Sequence, residues 1–128
     1  MATDLTQSFI DALQTLESAG DPSDLAKLYG DDATCGNTAT KTTYEGPDGA
    51  RDFWSGYRDS FSEIRSEFRD VVSNDEAAAL EWVTTAKLHG GDPVEYEGVT
   101  VLEFAGDAIT RSTAYFDPRA LTGAALHR

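Results

Sequence analysis

The chain has 128 residues, with 23 acidic and 10 basic side chains and a formal net charge of −13. That length suits one domain with a core of its own, and the charge has the wrong sign for nucleic acid or an anionic membrane, which bind through clustered Lys and Arg. A single cysteine, Cys35, excludes an intramolecular disulfide. The first residues lack the basic and apolar regions of a signal peptide, and no apolar run reaches the roughly 20 residues of a membrane span, so a cytoplasmic protein is expected. The acidity reads either as a solvated surface or as adaptation to high intracellular salt, with only Lys27, Lys41 and Lys87 as lysines.

Leu5, Phe9, Leu13 and Leu16 recur at helical spacing, which predicts a first helix over 4–18, ended by Gly20. Asp21-Pro22 reads as a cap followed by proline at the first helical position. It opens a short second helix with Leu25, Leu28 and Tyr29 on its apolar face and a stop at Gly30. A short strand is expected over 32–36, then a threonine-rich loop or edge hairpin to Tyr44. Gly46-Pro47 opens a third helix in which Phe53, Tyr57 and Phe61 recur every four residues, with Trp54 beside them.

Four strands follow, at 64–73, 77–89, 94–105 and 108–117. The turn-forming clusters Asn74-Asp75, Gly90-Gly91-Asp92 and Gly106-Asp107 separate them. Helices first and an antiparallel meander after them make an α+β domain whose sheet must bury a face against the helices. In the third strand of this set Tyr96, Thr100, Leu102 and Phe104 share one face, and Glu95, Glu97, Val99, Val101 and Glu103 the other. In the second, Leu80, Trp82, Thr84 and Ala86 oppose Glu81, Val83, Thr85 and Lys87. Neither face is uniformly polar, so both sides of the sheet are expected to meet something. The residues after Pro118 read as a short tail.

This order of elements, with Leu-Tyr-Gly-Asp-Asp-Ala-Thr at 28–34, Gly-Pro-Asp-Gly-Ala-Arg-Asp-Phe-Trp at 46–54 and Ala-Tyr-Phe-Asp-Pro at 114–118, resembles the nuclear transport factor 2-like superfamily, in particular its SnoaL-like polyketide cyclase branch. The resemblance covers nearly the whole chain. It implies a cone of strongly curved antiparallel sheet wrapped around three N-terminal helices, an internal apolar pocket, and homodimers. Aligned with ketosteroid isomerase, the catalytic tyrosine, base and oxyanion-hole aspartate fall at Leu13, Asn37 and Thr100, so none is retained. Aligned with limonene epoxide hydrolase, the asparagine matches Asn37 and one of two aspartates falls at Glu81. Its tyrosine, arginine and other aspartate fall at Cys35, Ala79 and Ala114. Scytalone dehydratase works with pocket histidines, whereas this chain has only His89 and His127.

The alignment implies a pocket lined by Leu13, Tyr29, Asn37, Trp54, Glu81, Val83, Thr85, Tyr96, Thr100, Ser112, Ala114 and Phe116. Glu81 is then the candidate acid or base, with desolvation raising its pKa; the competing reading is a surface carboxylate paired with Lys87 or an arginine. Asn37, Thr100 and Tyr96 would position the substrate. The expected ligand is a small apolar or polyketide-like molecule, with no cofactor and no metal. The expected function is cofactor-free isomerisation, cyclisation, dehydration or epoxide hydrolysis, or else non-catalytic ligand binding or a dimeric interaction module. Leu80, Trp82, Val99 and Val101, on the parity opposite the implied pocket, are expected to form a homodimer through the outer sheet face.

Overall fold

A computed structural model describes residues 2–40 and 42–119, with side chains from Leu5 onward. His127, Lys41 and the expected tail from 120 lie outside the described residues. The helices are α1 (Ala2–Ala19), α2 (Ser23–Ala26) and α3 (Gly46–Asp59); the strands are β1 (Tyr29–Asn37), β2 (Tyr44–Glu45), β3 (Glu63–Ser73), β4 (Ala77–Lys87), β5 (Pro93–Ala105) and β6 (Ala108–Phe116). The strands form one curved sheet in the order β2-β1-β6-β5-β4-β3. It is an open α+β sheet, antiparallel except where β1 runs parallel to β6.

The helices form where the apolar spacing places them. Leu5, Phe9, Leu13 and Leu16 are buried along α1, and Gly20 ends the helix with a positive φ of 79°. Gly46, at φ 70°, turns the chain into α3 ahead of Pro47; a Cβ there would come within 3.0 Å of the Asp31 carbonyl oxygen. The second helix is shorter than expected, because Tyr29 leaves it to begin β1. Its side chain is buried, and the backbone pairs with Ile109 on β6.

Phe9, Leu16, Leu25, Leu80, Leu102 and Ile109 are almost fully buried between the helices and the sheet. Each contributes on the order of 1.5–3 kcal/mol relative to leaving it in water. A second apolar cluster of Phe61, Ile64, Trp82, Ala86, Leu88 and Tyr96 closes the far end, around the start of β3 and the β4–β5 turn.

The register of β4 corrects the sequence reading. Across the antiparallel pair, Leu80 faces Thr100, Trp82 faces Gly98 and Thr84 faces Tyr96. Directly opposed residues point to the same side of a sheet. Tyr96 and Thr100 therefore share the concave face with Leu80, Trp82 and Thr84, and Glu81, Val83 and Thr85 must lie outside. Leu80 and Trp82 are accordingly buried within the subunit. The expected dimer patch thus keeps only Val99 and Val101 on the outer face.

Candidate functional site

The concave face and α3 enclose a chamber of about 70 Å³, lined by Leu13 from α1, Phe53, Trp54 and Tyr57 from α3, Asn37 from β1, Ser66 from β3, Trp82 and Thr84 from β4, Tyr96 and Thr100 from β5, and Ala114 and Phe116 from β6. A wider cleft of about 600 Å³ shares Asn37, Phe53, Tyr57, Tyr96 and Phe116 with it and is rimmed by Tyr44, Phe61, Leu88 and His89. The two form a vestibule and a deep end with a common wall.

Two aromatic groups build the walls. On α3, Trp54 lies edge-to-face with Phe53 at 4.9 Å and with Tyr57 at 5.2 Å between ring centroids. On the sheet, Trp82, Tyr96 and Phe116 contact one another at 5.5–6.2 Å. Gly98 makes the sheet group possible. A Cβ there would clash with the Tyr115 carbonyl oxygen and come within 2.9 Å of both Trp82 Cζ2 and Phe116 Cβ, so the indole lies across the strand where a side chain is missing.

Three polar arrangements accompany the rings. Tyr29 Oη accepts from Trp54 Nε1–H at 3.1 Å and from Cys35 Sγ–H at 3.7 Å, so the Tyr29 hydroxyl proton goes to Ser112 Oγ at 2.8 Å. Trp82 Nε1–H donates to Thr100 Oγ1 at 2.9 Å. Glu17, buried on α1, accepts from Tyr57 Oη–H at 2.7 Å and from the backbone N–H and hydroxyl of Ser66 at 2.8 and 2.6 Å. Burial raises the tyrosine hydroxyl pKa of Tyr57 well above its ordinary value, and the Glu17 charge raises it further; Tyr96 is raised for the same two reasons. Both phenols are neutral at physiological pH.

At the edge of the chamber, Asn37 Oδ1 accepts from the Ala39 and Thr40 N–H groups at 2.9 and 3.0 Å. This leaves its amide NH₂ as the donor. His89 Nε2–H donates to the Asp59 carbonyl at 2.7 Å on the rim. Among the described residues no group of three His, Cys, Asp or Glu side chains could hold a metal ion.

Of the residues singled out from the sequence, Leu13, Asn37, Trp54, Tyr96, Thr100, Ala114 and Phe116 meet around the chamber. Tyr29 and Ser112 are buried behind its wall, bonded to each other. Glu81 is not in it. Its side chain is 47% exposed on the outer face, where Arg69 Nη2 lies 3.3 Å from Glu81 and 2.8 Å from Glu97. Thr85 is exposed on the same face, with Val83 partly covered there. The acid or base role expected of Glu81 therefore has no geometric basis. The sequence reading also missed Glu17 as a partner of Tyr57, although Leu5, Phe9, Leu13 and Glu17 run at intervals of four. A carboxylate on an otherwise apolar stripe was the available signal.

A family model described as a SnoaL-like domain matches residues 6–112. The chain belongs to the SnoaL-like family. No curated protein matches it by sequence. Among solved structures, a nuclear transport factor 2-like protein from Anabaena variabilis superposes with a TM-score of 0.81 at 17% identity, covering 90% of this chain and 88% of that one. A protein with a ketosteroid isomerase-like fold from Catenulispora acidiphila, solved in complex with trimethylamine, gives 0.82 at 14% identity over 98% and 94% of the two chains. AclR, a putative hydroxylase from Streptomyces galilaeus, gives 0.78 at 14% identity over 98% of each. At these identities the likeness is one of fold, which by itself does not fix the chemistry.

Proposed function

We propose that this SnoaL-like domain binds a small, largely apolar molecule in the aromatic chamber, with a ring or alkyl body against the α3 and sheet aromatics and its remainder in the vestibule. The observation that carries the reading is the wall itself: six aromatic rings converge with a few hydroxyl and amide groups, and the lining holds no Asp, Glu, Lys or His. Such a site recognises shape and hydrogen-bond pattern. A second reading, base catalysis, draws on the Tyr57–Glu17 hydrogen bond: a ligand proton would pass to Tyr57 Oη as the tyrosine's own proton passes to Glu17. Tyr57→Phe separates the two, since it would abolish turnover of any substrate while leaving an apolar ligand's contacts largely in place.

The test of binding is a titration of Trp54 and Trp82 fluorescence with benzyl alcohol in the wild type and in Ala114→Leu. Ala114 lines the chamber. The larger side chain fills its deep end and should weaken binding at least tenfold. Equal affinity in the two proteins would place the ligand elsewhere.

A further inference from the structure

Resting on the binding reading, the hydrogen-bond polarity of one wall of the chamber, away from the Asn37 amide donor, narrows the chemical class of its ligand. Glu17 is 6% exposed, and among the described residues its contacts are the Tyr57 hydroxyl and the backbone N–H and hydroxyl of Ser66, with no cation beside it. An ionised carboxylate only accepts, and a hydroxyl has one proton. Tyr57 and Ser66 therefore spend their protons on Glu17. Ser66 Oγ then offers only a lone pair to Thr84 Oγ1 at 2.7 Å, so the Thr84 proton is spent as well. Thr84 and Ser66 thus point their protons in series toward Glu17, the one polarising the other, and Tyr57 points its proton to the same carboxylate directly. What Tyr57 and Thr84 can present to the chamber they line is lone pairs, backed by a buried negative charge.

We propose that the Tyr57–Thr84 wall receives the hydrogen-bond donor end of the ligand, preferring a protonated amine, accepting a hydroxyl and refusing a carboxylate. The ammonium gains most because its charge is opposite to that of the Glu17 carboxylate behind the wall, and the surrounding rings favour a cation over an anion. A carboxylate would bring lone pairs against lone pairs beside a like charge.

The experiment titrates wild-type protein and Glu17→Gln with benzylammonium, benzyl alcohol and benzoate, reading tryptophan fluorescence. In the wild type, benzylammonium should bind tightest and benzoate at least a hundredfold more weakly. In Glu17→Gln, whose amide removes the charge and can donate, that gap should shrink below tenfold. Benzoate binding as tightly as benzylammonium, or an unchanged gap in the variant, would overturn the assignment while leaving the binding reading intact. If none of the three saturates the signal, the binding reading falls and this inference with it. Should Glu17→Gln not fold, Thr84→Val reads the same wall: benzyl alcohol should lose roughly tenfold and toluene nothing, and equal effects on the two would overturn the assignment.

Discussion

Burial pushes the Cys35 thiol up from an ordinary value of 9.0 to about 11, and desolvation holds Tyr29, Tyr57 and Tyr96 above the usual phenol range. The consequence is a stability limit on the alkaline side. A group whose folded pKa is raised keeps its proton when the unfolded chain has already released it. The folded state then binds more protons, and stability falls with pH from the unfolded pKa up to the folded one. For Cys35 the window runs from about 9 to about 11, with a slope of roughly 1.4 kcal/mol per pH unit while only the folded form is protonated. Below pH 9 the thiol contributes no such slope. Thermal melts of wild type and Cys35→Ala between pH 7.5 and 11 should show a shallower fall for the variant above pH 9, with the tyrosines accounting for the rest. Parallel curves would mean that the thiol is not desolvated. Glu17 belongs to the same scale: its position four residues after Leu13 put it on the buried stripe, but helical spacing alone names no partner, and Ser66 and Tyr57 reach it only through the fold.

Among the elements, the meander was readable to within a residue or two, because its turns are marked by Asn, Asp and Gly and its strands by Val, Trp, Phe and Leu. The strand β1 was less so. Tyr-Gly-Asp-Asp at its start has neither alternation nor β-branched residues, and its parallel pairing with β6 is made by residues about 80 positions away, which leaves no local trace. The face of β4 was misread for a different reason. A shift of one residue in a strand exchanges its two faces, and an alignment through distant relatives fixes β4 no better than that. The pairing of Thr84 with Tyr96 supplies what was lacking. Gly98 ties these strands to the chamber. Because the nearest neighbour of an added Cβ is the Tyr115 backbone, which cannot rotate away, Gly98→Ala should cost about 1–3 kcal/mol and displace the Trp82 ring. Urea unfolding with near-ultraviolet circular dichroism checks both, and an unaltered midpoint and tryptophan spectrum would contradict the packing described.

For the whole molecule the dominant physical quantity is charge. With 23 acidic against 10 basic residues, self-repulsion opposes the folded state. The Debye length falls from about 10 Å at 0.1 M salt to about 3 Å at 1 M, so the melting temperature should rise with sodium chloride. A flat or falling midpoint would remove the repulsion argument. The surface ion pairs resist this trend only weakly: Arg69 with Glu81 and Glu97, Lys87 with Glu63, and Arg111 with Glu103 all sit on exposed side chains or close to it. No described helix is long and apolar enough to cross a membrane. The outer sheet face, with Leu80 and Trp82 turned inward, offers Val83, Val99, Val101 and Tyr115 among these charges.

A ligand bound as proposed sits in the chamber beneath α3 and leaves the Arg69–Glu81–Glu97 face alone. It is tested most directly by ¹H–¹⁵N correlation spectra recorded while benzylammonium is added, because both indole N–H groups belong to chamber-lining residues. Binding there should give saturable shifts of the Trp54 and Trp82 Nε1–H signals and of the Asn37 side-chain amide, with the amides of Arg69, Glu81 and Glu97 unmoved. Shifts confined to Arg69, Glu81 and Glu97, with both indole signals stationary, would contradict it.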